Sequence, residues 1–167
     1  MHEIDFTAEV TDILERLRKA HQTLAVAESI TGGLLAGAIT DISGSSDVFL
    51  GGVIAYHSRI KNELLKVDSK LIADHGVVSR EVAVAMAQGA RNQLGSDWAI
   101  ATTGVAGPGP SQGIAAGQVW IAIAGPSASA ASREAYAELL DLSGNRQEVR
   151  IATIARAFAA FTRILRG

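Results

Sequence analysis

Residues 23–42 read TLAVAESITGGLLAGAITDI, and this stretch decides the fold. Thr23–Glu28 is an apolar run of strand length. The turn Ser29-Ile30-Thr31-Gly32-Gly33 follows at once, and Leu34–Ile42 is a second apolar segment of helical character. A strand that passes through a Gly-containing turn straight into a helix is half of a βα unit. The rest of the chain repeats the alternation. An amphipathic helix over 4–21 comes first, with Ile4, Val10, Ile13, Leu14 and Leu17 at helical spacing and basic residues late, where they complement the helix dipole. A β-rich run follows at 48–57, with short helical pieces over 58–75. Ser79 reads as the N-cap of a helix reaching Gly95. Strands are expected at 98–103, 118–124 and 134–142, a Gly/Pro loop at 104–117 and a long final helix over 144–166. The expected fold is α/β: a three-layer α/β/α sandwich around a mixed central sheet, as one domain spanning 1–167.

Composition narrows the function. The chain has 167 residues, 15 Lys+Arg against 17 Asp+Glu, and no cysteine. A net charge of −2 lacks the basic footprint that non-specific nucleic-acid binding needs. No cysteine means no disulfide, no thiolate nucleophile and no Cys-type zinc site. No run approaches the ~20 apolar residues of a membrane helix. The N-terminus MHEIDF carries no charged-then-apolar leader. A soluble cytoplasmic protein is expected, with a small-molecule partner and neither nucleic acid nor membrane. Alanine (29) and glycine (17) supply 46 residues, which suits helices packed closely on a sheet. The Ala-rich helices leave a homodimer open, because the same residues can equally all be internal.

Five places carry candidate chemistry. Ser29 stands at a strand-to-helix turn, where a hydroxyl can project from the sheet edge. Gly32 and Gly33 allow close approach, and the following helix start offers N–H groups for a phosphate or an oxyanion. The plain alternative is a capped turn, with Ser29 or Thr31 as the cap. Tyr56-His57-Ser58-Arg59-Ile60-Lys61 leaves a strand for a helix. A crowded Lys61 there can lose its proton and serve as a base for serine, although a lone lysine is ordinarily solvated. Thr102-Thr103-Gly104 lies where strand carboxyl ends bind ligands in open α/β sheets. Gly44-Ser45-Ser46 is a weaker phosphate-loop signal. Arg146 and Arg150 open the final helix at i and i+4. They can reach a phosphate, or they can form a solvated face. The four histidines have no metal-ligand spacing, and a triad of Ser29 with His57 or His75 has no motif behind it.

In this order, the segments AESITGGLLAGAITDISGSS (27–46), GVIAYHSRIK (52–61), HGVVSREVA (75–83), ATTGVAGPG (101–109), GQVWIAIA (117–124) and GNRQEVR (144–150) resemble the CinA C-terminal-domain family of nicotinamide-nucleotide amidohydrolases. The resemblance covers roughly residues 5–165. It implies the three-layer fold and hydrolysis of the carboxamide of nicotinamide mononucleotide to nicotinate mononucleotide and ammonia, with no metal and no cofactor. By position it implies Ser29 as nucleophile, Lys61 as base and Tyr56 as a proton relay or orienting group. Ser46 and Thr103 match further site hydroxyls, and Arg146 matches a residue near the substrate phosphate. With Thr31, Gly32, Gly33 and Gly104, these form the expected substrate-binding set. The chain departs from the family pattern at Ile30, where a cysteine is usual. It departs again at 110–117 (PSQGIAAG), where a Pro-Glu-Lys-Pro-type stretch is common. One helix before TLAVAE leaves no room for the extra N-terminal domain that many relatives carry. An amidase for another small amide, or a non-catalytic nucleotide-binding module, are the competing readings.

Overall fold

The computed structural model describes residues 5–126 and 135–167. Ile4 of the expected first helix and Glu134 of the expected last strand lie outside the described residues. The chain runs α1 (Thr7–Ala20), β1 (Leu24–Glu28), α2 (Leu34–Thr40), a 3₁₀ turn (Ser45–Asp47), β2 (Phe49–Ile54), α3 (Ser58–Glu63), α4 (Ser69–His75), α5 (Arg80–Leu94), β3 (Trp98–Gly104), β4 (Gln118–Ala124), β5 (Tyr136–Asp141) and α6 (Arg146–Arg166). The sheet order is β2-β1-β3-β4-β5. β1 is parallel to both β2 and β3, whereas β4 pairs antiparallel with β3 and β5. The sheet is therefore mixed. The short helical pieces expected over 58–75 are the helices α3 and α4.

Side-chain alternation along the strands divides the core in two. One face presents Leu24, Val26, Ile100, Val119, Ile121 and Ile123 to the inward stripes of α1, α2 and α6. The other presents Ala25, Ala27, Ala99, Ala101, Ala122 and Ala124 to Val82, Ala83, Met86, Ala87 and Ala90 of α5. The alanine excess thus has one main location: the close-packed face beneath α5. Capping follows the sequence. Ser79 Oγ accepts from Val82 N–H, and Asn145 and Glu148 form a reciprocal capping box at the start of α6. Among the described residues no helix is long and apolar enough to cross a membrane.

The topology fixes which loops share an edge. The carboxyl ends of parallel β1, β2 and β3 lie together, so the turn after Glu28, the segment after Ile54 and the loop after Gly104 converge there.

Candidate active site

Ser29 follows the last residue of β1, and its N–H donates to Thr102 O (2.9 Å) on the neighbouring strand. By alternation Glu28 and Ser29 point to opposite faces of the sheet. Ser29 faces the side that carries α3. Lys61, in the last turn of α3, is 2% exposed, and its Nζ lies 2.9 Å from Ser29 Oγ. Nζ also donates to Ala55 O (2.7 Å) and, more weakly, to Tyr56 O (3.4 Å). A neutral amine has two N–H bonds and one lone pair. With the two N–H groups directed to these carbonyls, the lone pair is left aimed at Ser29 Oγ. Burial pushes the Lys61 pKa down from 10.5 to about 8, because desolvation penalises the ammonium. Among the described residues no carboxylate pairs with it to offset that penalty.

Ser29, Tyr56, Lys61, Thr103, Gly104 and Arg146 line one cavity of about 570 Å³, within the usual size of a small-molecule site. His57, the His75–Val78 segment and the 107–112 loop complete its wall. No Asp or Glu lines it among the described residues, while Lys61, Arg146 and two histidines do. That balance suits an anionic ligand.

Several expected residues sit elsewhere. Ser46 is exposed in the 3₁₀ turn before β2 and does not line the cavity. The helix α2 carries the chain back across the sheet, so Ser46 precedes a parallel strand, at the edge opposite Ser29. Thr31 is fully buried, with its Oγ1 2.8 Å from Thr102 Oγ1, and so acts as neither cap nor cavity wall. Gly32 and Gly33 do not line the cavity either. The start of α2 is not open to an anion: Glu28, 1% exposed, accepts from Gly33 N–H (3.0 Å), Leu35 N–H (3.0 Å) and Ala36 N–H (2.8 Å). The N-cap position is Gly33, with φ 101°, a conformation that suits glycine and leaves no cap side chain of its own. Tyr56 is 63% exposed, and its hydroxyl accepts from Arg146 Nη2 (3.0 Å). It makes no hydrogen bond to Ser29 or Lys61 through its ring. What Lys61 takes from residue 56 is the main-chain carbonyl. Thr103 lines the cavity, but its hydroxyl donates to Val77 O (2.8 Å) and ties that wall in place. Arg146 also donates to Gly107 O (2.8 Å) and bridges the mouth.

Glu28 went unread in the sequence. Glu28→Ala leaves three helix-start N–H groups without a partner. The buried one, at Leu35, costs about 1–3 kcal/mol and the two part-buried ones less, so the melting temperature is expected to drop by about 10 °C for a domain of this size. Thermal unfolding followed by circular dichroism measures it. An unchanged midpoint would show that the cap contributes nothing.

The model of the CinA C-terminal domain matches residues 7–165. A CinA-like protein of Synechococcus sp. (strain RCC307) is 63% identical over 115 residues, 68% of this chain and 28% of that protein. A CinA-like protein of Frankia casuarinae is 41% identical over 155 residues, 93% of this chain and 34% of that protein. The chain thus spans about a third of the length of these relatives. The crystal structure of competence/damage inducible protein CihA from Agrobacterium tumefaciens matches with a TM-score of 0.89 at 30% identity, covering 100% of this chain and 99% of that one. Alike in fold to that structure and in sequence over nearly its whole length to the family, the chain belongs to the CinA C-terminal domain family.

Proposed function

We propose that the protein hydrolyses the carboxamide of nicotinamide mononucleotide to nicotinate mononucleotide and ammonia, with Ser29 as nucleophile and Lys61 as base. The observation that carries this reading is the buried Lys61 Nζ, 2.9 Å from Ser29 Oγ, with no acidic partner. A module that only binds needs no lysine depressed to about 8 beside a serine.

In the proposed reaction, Ser29 Oγ attacks the amide carbon as its proton passes to Lys61 Nζ. The amide oxygen takes the negative charge. Ile30 N–H, beside Ser29 in the cavity wall and without a partner among the described residues, is the nearest candidate donor for it. The C–N bond then breaks and Lys61 returns its proton to the departing nitrogen, which leaves as ammonia. Water attacks the resulting Ser29 ester, gives its proton to Lys61, and releases the carboxylate as Ser29 is restored. Arg146, which lines the cavity at its mouth, is the group we assign to the nucleotide phosphate.

The test is ammonia release by the purified protein from nicotinamide mononucleotide, its riboside and free nicotinamide, with and without a chelator. The nucleotide is expected to be the best substrate and its turnover to survive chelation. Absence of ammonia from the nucleotide would refute the substrate assignment. Loss of turnover on chelation would refute the Ser/Lys chemistry, because a metal would then supply the activation.

A further inference from the structure

Arg146 and Arg150 sit one turn apart on α6, yet they face different tasks. Arg146 lines the cavity that holds Ser29, and Arg150 does not. Its guanidinium instead reaches the turn after Ser29, 120 residues away in sequence. Nε donates to Ile30 O (3.1 Å) and Nη2 to Thr31 O (2.9 Å).

One fork therefore holds two successive carbonyls. In a trans peptide the C=O and N–H of a unit point in opposite directions, so fixing these carbonyls also fixes the N–H groups of Thr31 and Gly32. The two held peptide units meet at Thr31, so its backbone torsions are fixed as well, two residues from Ser29. The space is made for this contact. Gly32 has φ 57°, and a Cβ there would lie 3.2 Å from Arg150 Nη2. The turn is pinned from its other sides by Ser29 N–H on Thr102 O, by the Thr31–Thr102 hydroxyl pair and by the Glu28 cap. Arg150 is the tether from α6. The N–H groups of Ile30, Thr31 and Gly32 have no partner among the described residues, so this turn holds main-chain donors whose direction is set by how the carbonyls are held.

We infer that Arg150 is a positioning residue for the reaction: it holds the Ser29–Gly32 turn in the geometry that aligns Ser29 Oγ with Lys61 and keeps the neighbouring Ile30 N–H at the cavity. This inference rests on Ser29 as the nucleophile of the proposed reaction. Misplacing a reacting group by about 1 Å costs on the order of 100-fold in rate. Because Arg150 is absent from the cavity wall, its loss should act on kcat and spare KM.

The experiment compares wild type, Arg150→Met and Arg150→Lys in two assays. The first is ammonia release from nicotinamide mononucleotide. The second is the labelling rate of Ser29 by an alkyl fluorophosphonate, located by peptide mass spectrometry. In that labelling the Ser29 Oγ–P bond forms, the P–F bond breaks, fluoride leaves and the serine proton goes to Lys61. Arg150→Met is expected to lower kcat and the labelling rate together by about 100-fold, with KM within about 3-fold. Arg150→Lys keeps the charge but offers a point donor instead of a fork, so it should recover only part of the rate. At a temperature well below each variant's melting point, checked by circular dichroism, every variant is folded and the labelling rate reports the site itself. A lower amount at an unchanged rate would therefore overturn the inference. So would a raised KM at unchanged kcat, which would make Arg150 a binding group. If wild type labels at Ser29 but releases no ammonia from the nucleotide, the substrate reading fails, and the labelling rates still decide the role of Arg150. If wild type neither labels nor turns over, the nucleophile reading falls and this inference with it.

Discussion

Lys61→Met is expected to lower kcat for ammonia release by about 10³–10⁴-fold while leaving the fold intact. Methionine matches the length of the lysine stem but has no basic nitrogen. The variant therefore loses both the acceptor for the Ser29 proton and the donor to the leaving nitrogen, and general acid–base catalysis is worth about 10²–10⁴-fold for such a group. The stability consequence distinguishes this variant from a merely damaged one. Burial lowers the folded-state pKa of Lys61 to about 8, below its ordinary 10.5. The unfolded chain therefore binds this proton more tightly than the folded protein does. Between about pH 8 and 10.5 the contribution of Lys61 to stability rises with pH, and below about 8 the full cost of a buried ammonium is present. Lys61→Met removes that cost. Its main-chain partners Ala55 O and Tyr56 O lose a donor in exchange. The stability gap between wild type and variant should thus shift in favour of wild type as pH rises from 8 toward 10.5. Urea unfolding at a series of pH values measures it. A pH-independent gap would mean that Lys61 is not held with a lowered pKa. Near-wild-type turnover would remove it from the chemistry.

Ser29→Ala carries the largest expected loss. A nucleophile cannot be replaced by its neighbours, so kcat should drop by on the order of 10⁴-fold or more, down to what the oxyanion donors and binding alone provide. Among the described residues Ser29 makes one side-chain hydrogen bond, with Lys61, and its main-chain bond to Thr102 O survives the change. Melting behaviour should therefore stay close to wild type, and calorimetric binding of nicotinamide mononucleotide should stay within a few-fold. Turnover near wild type in Ser29→Ala would mean that the nucleophile lies elsewhere.

That Ser29 and Lys61 come together was legible in the sequence. Each follows a short apolar strand at its carboxyl end, and parallel neighbours bring those ends together. The expected residues that do not line the cavity show what local pattern lacks. Ser46 looks like a phosphate-loop hydroxyl until the direction of β2 puts it at the opposite edge of the sheet. Thr31, Gly32 and Gly33 belong to the same turn as Ser29, but the turn presents Ser29 and Ile30 to the cavity and keeps the others out of its wall. A carboxylate ending an apolar strand reads as a surface residue. Nothing local pointed to Glu28, because Ser29 and Thr31 stood ready as caps; with their hydroxyls bonded to Lys61 and Thr102 and Gly33 at the N-cap, the helix start takes a remote acceptor. Arg150 did carry a signal. It lies at i with Ile154, Ala157 and Phe161 at i+4, i+7 and i+11, all buried, so it belongs to the inward stripe of α6 rather than to a solvated face. The departure at Ile30 has a simple consequence. Ile30 is 4% exposed and packs in the core beneath the turn, so the position next to Ser29 is filled by an apolar side chain while its main chain borders the cavity.

The most direct test of the Ser29–Lys61 pair is the pH dependence of kcat/KM for ammonia release from nicotinamide mononucleotide. The amine is a base only when unprotonated, so activity should rise about tenfold per pH unit on the acid side and level off above a midpoint near the lowered Lys61 pKa of about 8. A profile flat from about pH 6 to 9.5, or a rise still unbroken at the pKa of a free lysine near 10.4, would contradict a buried, neutral Lys61 as the base.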